Sequence, residues 1–491
     1  MKKTRRNIFV LVLTVTLPAG GAGAMSDLET VTYADFSRIN HIASSMTHVY
    51  FATTEGIIRY NKSEGRWEEP LTGAEGIDNR DLRRIWVDMF DEKLYVQTST
   101  GSFEYDLLFE RWFPLDEIPP LQTNSVHIRP PEVMHPPAGF NYASEGVLID
   151  RHGRDFYFSD ILDDRSGNLW IGTWGYGALT ASSSSSFIEL LPFGLLQNRV
   201  DAIFSDEGVL WLGGSSLGGF RSGITAFDPY DRTFSFIESG VGEGLPEADI
   251  SCFEADDEYI YVGTHRGLFL LDRDTRQVQR SITGASGLAD DQVLSLAVTG
   301  DSVFVGTVSG MNIITVGGDS VRYVRPRQFS NVAVYDFATT DTSIWIASSA
   351  GAYQLLLASG RLQRFRDPHS IIFSRVYSAE RYEQYLWLAS DGGMVRLDLE
   401  TSRTTPFVAT MGGVDFRPMA VAGEVAAITS SRGVTLFFLD DERQAREREF
   451  SVDDGLPSHN IRALLLDDDY LWIGSDRGLT RFLWNDPGRI D

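Results

Sequence analysis

The chain has 491 residues, 43% hydrophobic and 12% aromatic, which supplies a packed core and excludes wholesale disorder. Its 68 Asp and Glu outweigh 43 Lys and Arg, a formal charge of -25, and a surface of that sign repels phosphate backbones, so nucleic acid is not expected as a partner. Cys252 is the single cysteine, which excludes an intrachain disulfide, a CxxC metal or redox site and a haem-attachment motif.

Residues 1–24 have the layout of a secretory signal peptide. Lys2, Lys3, Arg5 and Arg6 precede an apolar run from Ile8 to Leu17, and Ala22-Gly23-Ala24 forms a small-residue cleavage site. The run is too short to span a bilayer, and no later stretch approaches the ~20 apolar residues of a membrane span. The expectation is a mature chain of residues 25–491 that is periplasmic or secreted.

Beyond the leader one line of sequence recurs ten times: an aromatic-centred apolar run, a small-polar turn holding Gly, then a second apolar run. It opens as HVYFATTEGIIRYN from His48 and KLYVQTSTGSFEYD from Lys93. It continues through NLWIGTWGYGALT from Asn168, YIYVGTHRGLFLLD from Tyr259 and YLWLASDGGMVRLD from Tyr385, and ends as YLWIGSDRGLTRF from Tyr470. A copy from Glu424 has lost its aromatic. A period of roughly 40 to 45 residues with short alternating strands is that of a β-propeller with four-stranded blades. Helical repeats would need an apolar spacing of 3.6 residues, which these windows lack.

Each copy also carries an innermost strand upstream, such as DISCFEAD or NIRALLLDD, and an outer strand downstream. Trp170, Trp211, Trp345, Trp387 and Trp472 share one place in the second strand, where packing between blades is expected, each contributing about 2 to 3 kcal/mol when buried. The last copy lacks an outer strand, and the strand-like LETVTYADF at 28–36 is expected to complete it and close the ring. The fold class is therefore all-β: one propeller of about ten blades, with two smaller propellers as the alternative.

One interval breaks the period. Residues 115–145 contain three Pro-Pro pairs, which exclude regular helix and central strand over those pairs and mark an insertion, either decorative or partner-binding. Asp-rich turns at 163–168 and 467–470 lack the ligand spacing of a calcium loop, and the histidines form no HxH or HExxH pair. No nucleophile elbow or P-loop is present. No metal, cofactor or catalytic residue is expected.

The copies resemble the repeat of the two-component-regulator propeller family, in which a GLP-containing segment leads into an LWIGT strand and a GLxxF strand. The best matches are DGLPSHNIRALLLDDDYLWIGSDRGLTRF at 454–482 and EGLPEADISCFEADDEYIYVGTHRGLFLLD at 243–272. The resemblance implies a propeller that, in that family, forms the periplasmic sensory part of membrane-bound hybrid histidine kinases, many tied to polysaccharide sensing. It also implies kinship with stand-alone propellers of cell-envelope secretion systems. No kinase segment or further span follows the repeats here, so a free-standing binding module is the expectation. The alternative is a propeller enzyme, a lyase or hydrolase, acting on polysaccharide or a small secreted compound.

By up-down counting, the turn between second and third strands and the loop entering the innermost strand open on one face. That face gathers Arg80, Trp174, Tyr176, Arg199, His265, Arg266, Arg432, His459 and Arg477. Arginines on such a rim suit carboxylate or sulfate, and Trp174 with Tyr176 would stack on sugar. The partner expected is a carbohydrate or other anionic ligand, or an envelope protein.

Overall fold

The computed structural model describes residues 30–484, except 73–80, 91–92, 107–110, 131–133, 183–186, 216–220, 241–244, 247–248, 318–319, 325, 373, 408–417, 424, 440–444 and 468. The signal segment, Arg80 and part of the insertion therefore lie outside the described residues. Ten antiparallel sheets follow in chain order, and nine have four strands. Sheets 1 to 3 cover 39–67, 84–115 and 126–191. Sheets 4 to 7 cover 202–238, 250–282, 293–324 and 334–364, and sheets 8 to 10 cover 376–407, 419–451 and 461–483.

Burial explains why the recurring line reads as it does. The second strand Tyr259–Thr264 and the third strand Gly267–Asp272 are buried at five of six positions, because a neighbouring sheet covers each face. The outer strand Val278–Ile282 alternates between half-buried and exposed positions and ends on buried Ile282. All the central aromatics are buried, Trp387 to 1% exposure and Trp472 to 2%. Five of them wedge into the following sheet: Trp211 against Ile250 and Phe253, Tyr261 against Val293, Phe304 against Val334, Trp345 against Val376 and Trp387 against Met419. The glycine of the second strand serves the same contact. A Cβ at Gly213, Gly263 or Gly306 would run into the first residue of the next innermost strand, Ile250, Val293 or Val334.

The last sheet is completed from the other end of the chain. Thr30–Tyr33 pairs antiparallel with Gly478–Leu483, Thr30 opposite Phe482 and Tyr33 opposite Leu479. A Cβ at Gly478, whose φ is +123°, would overlap the Tyr33 carbonyl. The closure expected from residues 28–36 is thus present, over a shorter span.

The ring that it closes does not run through all ten sheets. Innermost strands meet in the cycle of sheets 4, 5, 6, 7, 8, 9, 10 and back to 4. At the join, Val200 N–H donates to the Ser475 carbonyl at 2.8 Å, and Trp472 packs on Leu210 and Phe227 of sheet 4. This is a seven-sheet ring, in place of the single ten-blade ring expected from the repeat count. Sheets 1 to 3 stand on its flank. There Trp170 of sheet 3 packs on Phe51 and Tyr60 of sheet 1 with ring centroids at 6.4 and 5.4 Å, and sheet 1 in turn meets sheet 2.

The physical reason lies in the linkers. The chain leaves the ring after Tyr33, builds sheets 1 to 3, and returns beside its point of departure, where Leu195 N–H donates to the Ala34 carbonyl at 2.8 Å. Sheets 1 to 3 are in effect an excursion between the closing strand and sheet 4. One apolar cluster of Tyr33, Phe36, Trp67, Trp170, Phe193, Phe227 and Trp472 joins the excursion to the ring. Ion pairs rim the joint: Glu69 with Arg481 at 2.6 Å, and Glu238 with Arg154 at 2.6 Å and with Arg221 at 2.7 Å.

The insertion in sheet 3 is partly ordered into strands. Val126–His127 and the hairpin Phe140–Ser144 with Val147–Asp150 line the free edge of the long innermost strand Asp155–Asp163, making this sheet seven-stranded. Pro119 and Pro120 precede these strands, and Pro130, Pro136 and Pro137 fall between them. The edge that would otherwise stand open is covered by them.

Candidate functional site

The face expected from strand counting is real, because turns and entry loops bond to one another on it. Asp249 N–H of an entry loop donates to His265 Nδ1 in the turn of the same sheet at 2.7 Å. The Ser309 hydroxyl donates to Asp290 at 2.9 Å. Across sheets, His459 Nδ1 donates to the Arg432 carbonyl at 2.7 Å.

The fold divides the sequence-derived candidates between two units. Arg199, His265, Arg266, Arg432, His459 and Arg477 stand on the ring, on the consecutive sheets 9, 10, 4 and 5. Several are already engaged: Arg199 with Asp201 at 2.8 Å, Arg432 with Glu449 at 3.2 Å, and both histidines in the bonds above. Arg266 and Arg477 are exposed and have no carboxylate partner among the described residues. The Arg477 guanidinium donates to the Pro457 carbonyl at 3.2 Å.

Trp174 and Tyr176 belong to sheet 3. Tyr176 is not a free stacking platform: its ring is wedged edge-on between Phe140 and Phe156 at 5.2 and 5.5 Å, and the Arg221 guanidinium covers it at 4.5 Å. Burial pushes its phenol pKa up. Trp174 is 46% exposed and lies directly opposite Tyr157, 50% exposed, so the two rings share one side of the sheet. The guanidinium of exposed Arg38 stands over the Trp174 ring at 5.4 Å. Neither Tyr157 nor Arg38 stood out in the sequence. Tyr157 sits in a strand hidden behind the insertion, and Arg38 in a linker with no repeat signature.

A second group missed by sequence lines the innermost strands of the ring. A β-bulge recurs there, between Ile250 and Cys252, Val293 and Ser295, Val334 and Asp336, Val376 and Ser378, and Ile461 and Ala463. Bulges re-aim side chains and leave no mark in an alternating pattern. At two bulges Tyr335 and Tyr377 approach to 5.8 Å, and Tyr377 donates to Asp391 at 2.8 Å. Deeper on the same strands are Glu254, Asp336 and Glu380. Burial raises all three carboxyls, and their charges oppose one another, with Asp206 adding to the field at Glu254. Glu254 is pushed up to about 7 and Asp336 to about 6. Asp336 also latches two sheets, accepting from the Ser378 hydroxyl at 2.7 Å and Ala379 N–H at 2.9 Å. Cys252 is an inert core thiol, pushed up to about 12 by burial.

The Asp-rich turns are locks of the backbone. Asp164 accepts from Ser166 N–H at 2.9 Å, Asn168 N–H at 3.2 Å and Trp170 Nε1 at 3.0 Å. The histidines, unpaired in sequence, do meet in space: His41 and His127 come together with Asp160 in sheets 1 and 3.

Residues 152–175 match the family model described as two component regulator propeller. Among solved structures, the extracellular domain of BT4673 from B. thetaiotaomicron, assigned to a one component system, is similar at 13% identity and TM-score 0.44, covering 92% of this chain and 71% of its own. The extracellular domain of the hybrid two component system BT3049 from B. thetaiotaomicron is similar at 16% and 0.47, covering 89% and 60%. PorZ, a surface component of the type-IX secretion system of Porphyromonas gingivalis, is similar at 15% and 0.46, covering 92% and 69%. No curated protein matches this sequence. Residues 152–175 thus carry one copy of the two-component-regulator propeller repeat.

Proposed function

We propose that this chain is an exported, non-catalytic propeller that binds a negatively charged carbohydrate in the cell envelope, as a sensor-like or scaffold module. The observation that carries the reading is the exposed pair Trp174 and Tyr157, directly opposite in adjacent strands, with the Arg38 guanidinium 5.4 Å from the Trp174 ring. An aromatic face binds the apolar side of a sugar, and a neighbouring guanidinium pairs with its carboxylate or sulfate. Arg266 and Arg477, exposed and without carboxylate partners among the described residues, give the ring rim the same preference. Against a net charge of -25, such exposed cations discriminate for anions locally while the whole surface repels polyanions.

The enzymatic reading is favoured by one feature, Glu254, whose carboxyl near 7 is suited to proton transfer at neutral pH. One experiment separates the two. Purified mature protein is screened by thermal shift against acidic oligosaccharides, and any hit is followed over time for turnover. Binding without consumption, weakened about tenfold by Trp174→Ala and by Arg38→Ala, is the expected result; a tenfold change corresponds to about 1.4 kcal/mol. Consumption abolished by Glu254→Gln would replace the binding reading with the enzymatic one. A hit indifferent to both rim substitutions would place the site elsewhere.

A further inference from the structure

The latch position that follows each bulge is used differently in the flanking unit. In the ring, Asp336 of sheet 7 accepts from the Ser378 hydroxyl at 2.7 Å and from Ala379 N–H at 2.9 Å of the next sheet. In the flank, Asp160 of sheet 3 stands at the equivalent place, after the bulge between Phe158 and Asp160, and accepts Ile42 N–H of sheet 1 at 2.8 Å. The residue in the position of Ser378, after the bulge between Ile39 and His41, is a histidine. The insertion then adds a second imidazole: Val126–His127 pairs with Leu162 and Asp163, setting His127 Nδ1 2.7 Å from Asp160 Oδ1.

We infer that His41, His127 and Asp160 form a binding site for a divalent transition-metal ion of the Zn²⁺ type. One ligand atom from each residue lies within 4.8 Å of the other two, and the imidazole centroids are 4.6 Å apart. A tetrahedral ion with bonds of about 2.0 to 2.1 Å holds its ligands about 3.3 Å apart, so closing the site needs only small side-chain rotations. His127 has the room, its side chain being 45% exposed. Asp160 is oriented as a metal ligand is, its Oδ2 held by Ile42 N–H at 2.8 Å. His41 Nδ1 is buried with no hydrogen-bond partner among the described residues, a cost that a structural histidine pair would not leave standing. Two imidazoles with one carboxylate select Zn²⁺ and its neighbours over Ca²⁺ and Mg²⁺. Three protein donors leave a coordination position on the exposed His127 side for water or an anion.

The site also explains what the insertion does beyond covering an edge: its two-residue strand delivers a ligand, and the ion would tie it to sheets 1 and 3. The test is Co²⁺ and Zn²⁺ titration of the full mature chain after chelation, with Ca²⁺ as the contrast. The expected result is one equivalent of Co²⁺ with visible ligand-field absorption displaced by Zn²⁺, no response to Ca²⁺, and a melting temperature raised by Zn²⁺. His127→Ala and Asp160→Asn should each weaken Zn²⁺ at least about tenfold. His127→Ala removes an exposed side chain, so its metal-free melting temperature should match the parent and keep the test valid even if His41→Gln misfolds. The assignment is overturned if no equivalent binds, or if stoichiometric binding survives both substitutions.

Discussion

Trp472 Nε1 donates to Asp467 Oδ2 at 3.0 Å, and the same bond joins Trp170 to Asp164 at 3.0 Å. In sheet 5 the Tyr261 hydroxyl takes the indole's part, donating to Asp256 at 2.6 Å. The aspartate also accepts backbone N–H groups of its own turn, from Asp469 and Tyr470 in sheet 10. One carboxylate thus fixes the hairpin of the first two strands and the wedge between sheets together.

Asp467→Ala should therefore destabilise the protein by about 2 kcal/mol, since it orphans a part-buried indole N–H and two turn amides. Asp164→Ala should cost more, because its carboxylate is fully buried and is also approached by Lys62 Nζ at 3.8 Å. Urea denaturation measures both; a loss below about 0.5 kcal/mol at either site would refute the lock.

The repeat made the sheets legible and their grouping illegible, for a definite reason. Alternation and the LWIGT-like strand depend on contacts within a sheet or with the next one, and every copy records them. Which sheet follows sheet 3 depends on where the chain turns after Tyr33 and Leu195, and a linker of Ala34 to Ser37 carries no periodic signal. The site suffers likewise: His41 and His127 lie in different sheets, and the bulges that aim His41 and Asp160 add one residue without changing composition. Trp174 was legible because it interrupts a turn where small polar residues recur.

Gly474→Ala tests ring closure. A Cβ there would lie 2.8 Å from the Val200 carbonyl and 2.9 Å from Val200 Cγ1. The carbonyl belongs to the segment entering sheet 4, whose Val200 N–H is bonded to the Ser475 carbonyl of sheet 10, so it has little freedom to yield. The expected cost is about 1 to 3 kcal/mol, measured by urea denaturation. A cost below about 0.5 kcal/mol would show that the approach of sheets 10 and 4 is not tight.

Removal of residues 25–33 should leave Gly478–Leu483 as an open, largely buried-type edge, with Leu479 and Phe482 losing their cover. Open edges of that kind pair with other chains. The truncated protein should associate or precipitate, and a synthetic peptide of residues 28–36 should restore a monomeric species by strand addition. Light scattering with and without the peptide measures it; a truncated chain that stays monomeric and equally stable would remove the closing role of Thr30–Tyr33.

The buried carboxylates of the innermost strands predict a pH dependence of definite sign. Glu254 is raised to about 7 by burial and by the charges of Asp206 and Asp336, from an ordinary value of 4.5. A carboxyl whose folded pKa is raised binds its proton more tightly in the native state, so its contribution is full below about 4.5. It is lost progressively as pH rises through 7, and constant above. Glu380 and Asp336 are shifted the same way and add to the trend. Glu254→Gln removes the charge while keeping the shape. It should raise the melting temperature at pH 8 and leave it almost unchanged at pH 5, where the parent carboxyl is already protonated. The same gain at both pH values would mean that packing rather than charge governs this strand, and a loss at pH 8 would mean that the Glu254 carboxylate is stabilised by a nearby cation.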